Sequence, residues 1–207
     1  MSSLTDKIIR RIRAHGRGKW VCTPKDFLDL GNRDAVDQAL SRLVKSDVLR
    51  RIGRGLYDLP RMSGILNRPA PPNIDVAVDA VVKRDRIHVM PDGIVAANQL
   101  GLTNAVPAKT AYVTDGGTRT LKIGGRTVQF RHIGQNIMQW AGRPGAQVVQ
   151  ALSWLGKAAA SDTGVADILR SRLSDSAKKD LMQDIDRLPD WMAGIVRNIS
   201  FDQSVAA

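Results

Sequence analysis

The 207-residue chain is 43% hydrophobic and 25% charged, and it carries 31 Lys and Arg against 20 acids, a net charge of +11. That composition suits a globular protein with a polyanionic partner, because Lys and Arg displace condensed counterions from phosphates. It excludes a disulfide scaffold and a cysteine-rich zinc site, since Cys22 is the only cysteine. It also excludes Glu-dependent chemistry, because every acid is Asp and no Glu occurs. The charge is uneven: residues 1–68 hold 15 basic and 7 acidic side chains, residues 69–207 hold 16 and 13.

Leu4, Ile8, Ile9 and Ile12 recur at helical spacing, with Ser3 or Thr5 as cap and Gly16 and Gly18 as the stop. Lys19–Cys22 reads as a short strand. Thr23, Pro24 and Asp26 then open a short helix that buries Phe27, Leu28 and Leu30 and turns at Gly31. Asn32 caps a second helix whose apolar stripe is Val36, Ala39, Leu40, Leu43 and Val44. Val48–Ile52 and Leu56–Leu59 form a hairpin about Gly53-Arg54-Gly55. Helix, turn, helix and basic hairpin is the order of a winged helix-turn-helix, which sets its second helix in the major groove and its wing beside it.

Residues 60–72, with Pro60, Pro69, Pro71 and Pro72, read as a linker. Beyond it come an amphipathic helix at Ile74–Val82, a strand at Ile87–Met90 and a helix at Gly93–Leu100. A strand at Thr110–Thr114 and a hairpin across Gly124-Gly125 follow. The remainder reads as helices over Gly145–Leu155, Thr163–Leu173, Ser176–Leu188 and Trp191–Ile199, with a fraying end from Phe201 to Ala207. The fold class expected is α+β: an N-terminal winged helix-turn-helix at 1–68, then a mixed α/β domain at 73–200 with a helical C-terminal part.

On this reading the surface that meets duplex DNA has named members. Asn32, Arg33, Gln38, Ser41 and Arg42 would reach base edges from the second helix. Arg50, Arg51 and Arg54 would lie on the wing, and Lys25 and Lys45 would hold phosphates. Neither cofactor nor metal is expected: His15, His88 and His132 have no ligand spacing, and the glycine pairs open no phosphate-binding helix. No run of about 18 apolar residues appears, so no membrane span is expected and a cytoplasmic setting is.

The chain also resembles the AbiEi-type antitoxins, the transcriptional-regulator halves of abortive-infection toxin–antitoxin pairs. The likeness rests on the initial helix, on Thr23-Pro-Lys-Asp-Phe and on Leu49-Arg-Arg-Ile-Gly-Arg-Gly-Leu-Tyr57. It continues through Ala96-Ala-Asn-Gln-Leu-Gly-Leu-Thr-Asn104, Val106-Pro107 and the Thr110-Ala-Tyr-Val-Thr114 strand. It implies a DNA-binding repressor that acts on inverted repeats of its own operon. It further implies a C-terminal antitoxin domain that counteracts a nucleotidyltransferase-like toxin, with or without direct contact. Two alternatives stand beside it. One is an enzyme acting on nucleic acid or nucleotides through Asp75, Asp79 or Asp115 with His88 or His132. The other is a winged helix that contacts protein.

Overall fold

The computed structural model describes residues 3–64 and 67–200; the tail expected to fray, Phe201–Ala207, lies outside them. The architecture is mixed α+β in two compact units. The first holds the residues up to 87 together with 120–128, and the second holds 88–119 and 129 onward.

In the first unit, α1 (Leu4–His15) starts at a capping box. The Ser3 hydroxyl accepts from the Asp6 N–H at 3.1 Å, and the Asp6 carboxylate accepts from the Ser3 N–H at 3.0 Å. Ile8, Ile9 and Ile12 are its buried face, and Gly16 ends it at a φ of 86°. β1 (Val21–Cys22) leads into Pro24–Phe27, where the short helix expected takes the 3-10 form and does not bury Leu28. The apolar spacing accounts for this: Pro24 and Phe27 are buried three residues apart, the 3-10 period, while Leu28 is 47% exposed. α2 (Arg33–Lys45) buries Val36, Ala39, Leu40 and Leu43. β2 (Arg50–Gly53) and β3 (Leu56–Asp58) form a hairpin, and β1 joins its far side to give an antiparallel sheet of order β1-β3-β2. As the central strand, β3 has all three residues buried. The core beneath the sheet gathers Ile8, Ile12, Phe27, Leu40 and Leu49.

Residues 60–72 are more than a linker. β4 (Met62–Ser63) and β5 (Arg68–Pro69) pair antiparallel, Met62 facing Pro69 and Ser63 facing Arg68. Strands of two residues are too short for an alternation to register in sequence. α3 (Ile74–Asp85), capped by Asn73, also belongs to the first unit, which therefore runs past the break expected at 69–72. Polar ties explain its place: Lys25 Nζ donates to the Arg84 carbonyl at 2.7 Å, and Arg84 donates to the Arg54 carbonyl at 2.8 Å.

β6 (Val89–Pro91), β7 (Thr110–Thr114), β8 (Arg119–Ile123) and β9 (Arg126–His132) form a sheet of order β6-β7-β9-β8, of which residues 120–128 count with the first unit and the rest with the second. α4 (Gly93–Gln99) and the short α5 (Gln135–Met138) precede a helical part: α6 (Ala146–Ala160), α7 (Thr163–Arg172), α8 (Asp175–Gln183) and α9 (Asp190–Ser200). α4 lies so close to α6 that a Cβ on Gly93 would come within 2.4 Å of the Trp154 Cβ. α6 kinks at Gly156, whose φ of 75° no helix contains. The helix expected to run to Leu188 stops at Gln183, and a 3-10 turn, Ile185–Arg187, follows. Asp184 sits at that break, its carboxylate held by Arg143 at 2.7 Å and by Arg187 at 3.0 Å. Arg143 also pairs with Asp180 at 2.8 Å and lies 4.2 Å over the ring of Trp140, which is fully buried. Hydrogen bonds donated to the Asp180 carboxylate hold the Arg143 guanidinium above its ordinary pKa, against the opposing effect of burial.

One ion pair fastens the first unit's sheet. Arg50 grips Asp58 with two parallel bonds, Nε to Oδ1 at 3.0 Å and Nη2 to Oδ2 at 2.6 Å, and its Nη1 donates to the Ala70 carbonyl at 2.9 Å. The Asp58 side chain is 3% exposed. Asp58→Ala leaves the guanidinium half-buried and unpaired, so a loss of about 2–3 kcal/mol in urea unfolding is expected. The double change Arg50→Met with Asp58→Leu should cost less than Asp58→Ala alone, because no charge is then stranded.

Candidate nucleic-acid interface

The outward face of α2 is set by its buried one. With Val36, Ala39, Leu40 and Leu43 inward, Gln38, Ser41, Arg42 and Lys45 are exposed and stand three or four residues apart, one contiguous patch. Beside them in sequence, Arg51 and Arg54 are exposed on the β2–β3 hairpin. Arg51 faces Tyr57 across the pair, and its Nε makes only a long contact, 3.4 Å, to the Gly53 carbonyl. These six side chains carry four positive charges.

The other residues of the expected set have work inside the fold. Asn32 caps α2, its Oδ1 accepting from the Ala35 N–H at 2.9 Å. Arg33 donates through Nε to Asp37, one turn on, at 2.8 Å. That exposed pair contributes little to stability and can open to a better acceptor. Lys25 is tied to α3 through the Arg84 carbonyl. Arg50 is engaged on three sides by Asp58 and Ala70. A long basic side chain next to a short acid in a paired strand signals this role, and Asp58 eight residues after Arg50 was that signal in the sequence.

Arg61 and Arg68 are exposed and fell outside the expected set. Arg61 precedes β4 and Arg68 opens β5, in the hairpin where the sequence suggests a linker. Their mark in the sequence is a pair of cations at the ends of an acid-free stretch bracketed by Pro60 and Pro69. Arg11 is the converse case. It looks like part of a free basic helix, yet it grips Asp29 with two bonds of 2.8 and 2.6 Å and donates to the Asp26 carbonyl at 2.7 Å. That hydrogen bonding holds the Asp29 carboxyl below its ordinary range.

The acids and histidines of the enzymatic alternative are scattered. Asp75 and Asp79 lie exposed along α3 in the first unit. In the second, His88 Nδ1 lies 2.7 Å from Asp115, and the His88 N–H donates to the same carboxylate at 2.7 Å. Burial pushes the Asp115 carboxyl up, but these bonds prevail and its pKa falls below the ordinary value. Among the described residues, no cluster of three His, Cys or Asp side chains is arranged to hold a metal ion. No helix among them is long and apolar enough to cross a membrane.

Residues 7–181 match the family described as a family of unknown function (DUF6088), and the chain belongs to that family. No curated protein and no solved structure matches it.

Cys22 is fully buried, opposite Tyr57 in the sheet, and burial pushes its thiol far above the ordinary value. It is therefore inert, a packing residue. A thiol-reactive disulfide reagent at pH 8 should leave the native protein unlabelled over a time in which the urea-unfolded chain reacts completely. Rapid native labelling would contradict this burial.

Proposed function

We propose that residues 1–68 are a winged helix-turn-helix that binds duplex DNA, with α2 as recognition helix and the β2–β3 hairpin as wing. One observation carries the reading: a contiguous exposed patch of Gln38, Ser41, Arg42 and Lys45 on α2, with Arg51 and Arg54 exposed on the hairpin that follows. Gln and Arg offer paired donors and acceptors to adenine and guanine edges, while Lys45 and the wing arginines suit phosphates. The order helix, strand, turn, helix, hairpin and the three-stranded sheet β1-β3-β2 support it. The first helix of the motif is reduced to the 3-10 turn Pro24–Phe27, a departure that shortens the support of α2 without altering its outward face.

The resemblance to the AbiEi-type antitoxins extends the proposal. The protein is then a cytoplasmic transcriptional repressor and antitoxin. It binds inverted repeats upstream of its own gene and counteracts a nucleotidyltransferase-like toxin without catalysis of its own. The second unit would carry the antitoxin task.

The test is a gel shift with the DNA upstream of the gene. Arg42→Ala should weaken operator binding by about 1–3 kcal/mol and relax the preference for one base. Arg51→Ala with Arg54→Ala should weaken operator and random duplex alike. It should also lower the slope of log K against log salt by about 2. A wild-type chain that fails to shift the operator at low salt would sink the reading.

A further inference from the structure

Within the first unit a cleft of about 790 Å³ is lined by Arg50, Arg51, Arg61 and Arg68, the proline run 69–72 and the Gly124-Gly125 turn. Its volume is that of a small-molecule site. No Asp is among the described residues that line it. Arg50 is neutralised by Asp58, and its Nη1 bond to Ala70 holds the start of the proline run against β2. No ion pair engages Arg51, Arg61 or Arg68 among the described residues. Three guanidinia without an ion pair thus line one cleft that contains no acid among its described residues. Arg68 is placed by its register with Ser63, and the Arg61 carbonyl accepts from the Ala70 N–H at 2.8 Å. Gly124 and Gly125 add bare backbone to the lining. Gly124 donates its N–H to the Ile52 carbonyl at 2.7 Å, and a Cβ there would strike the Pro72 ring. Gly125, at a φ of 82°, has open space where a side chain would stand. A ligand can reach the main chain at that point.

We propose that this cleft is a phosphate-binding site that holds two or more neighbouring phosphoryl groups. Arg51, Arg61 and Arg68 would be the donors, and the proline rings an apolar flank. Guanidinium groups bond phosphate oxygens in pairs, and a string of phosphates answers three separated forks where a single anion cannot. The same chemistry is presented by a free nucleoside polyphosphate and by the backbone of a polynucleotide. The site does not depend on α2 reading bases.

The experiment compares three forms of the full chain: wild type, Arg61→Gln with Arg68→Gln, and Arg10→Gln with Arg13→Gln. The last removes equal charge from exposed positions of α1. Inorganic tripolyphosphate is titrated by calorimetry, and a random-sequence duplex by fluorescence anisotropy across a salt series. The cleft variant should lose about tenfold or more in affinity for tripolyphosphate, for the duplex, or for both, and the α1 variant about twofold or less. If the duplex salt slope falls by about 2 in the cleft variant, the phosphates belong to a polynucleotide. If the duplex curve is unchanged and tripolyphosphate binding is lost, the ligand is a free polyphosphate. Equal losses in both variants, or no loss in the cleft variant with either probe, would overturn the proposal. Should the double variant melt far below wild type, Arg68→Gln alone, on the exposed strand β5, is read by the same criteria. Arg42 is untouched throughout, so a failure here leaves the recognition-helix reading standing.

Discussion

The buried pair of Arg50 and Asp58 governs the first unit. Asp58 lies on the central strand of the sheet, where an unpaired carboxylate would be intolerable, and Arg50 is the group that makes it tolerable. Because side chains alternate along a strand, fixing Arg50 inward turns Arg51 outward. A slip of one residue would bury Arg51 and strand Asp58. The pair thus specifies the register of the hairpin more than it adds stability. The third bond, to Ala70, carries the same constraint into the proline run.

That division recurs across the molecule. Arg11, Arg50, Arg84 and Arg143 are each held by carboxylates or carbonyls of the fold. The net charge of the sequence therefore overstates what is available to a partner. Among what remains outward in the first unit are the exposed patch of α2, the hairpin arginines, and Arg61 and Arg68 at the cleft. Counterion release depends on these, because a guanidinium already paired within the protein displaces few ions from a phosphate.

Much of this is legible in the sequence. α1 and α2 follow from the spacing of Ile8, Ile9 and Ile12 and of Val36, Ala39, Leu40 and Leu43, and Ser3 and Asn32 stand at the expected caps. The β2–β3 hairpin followed from glycines flanking Arg54. Three features were hidden. The 3-10 turn depends on which of Phe27 and Leu28 is buried, a tertiary choice. The β4–β5 pair is too short to pattern. The end of α8 at Asp184 is set by Arg143, 41 residues away in the chain. For the candidate site, composition indicated the basic third but could not separate paired arginines from unpaired ones. Only the positions of Asp29 and Asp58 do that.

The caps have a consequence for how the chain tolerates change. Ser3, Thr23, Asn32, Asn73, Asp92, Asp162 and Ser174 all occupy N-cap positions, and the side chains of all but Thr23 accept a bond from a backbone N–H two or three residues on. An acid repertoire confined to Asp suits this, since one methylene places the carboxylate within reach of its own main chain. Each such helix carries its starting point inside its own first turn. Loops upstream can then lengthen or shorten without rotating the helix that follows. Insertions drifting into this chain would alter its surface while the outward face of α2 kept its alignment.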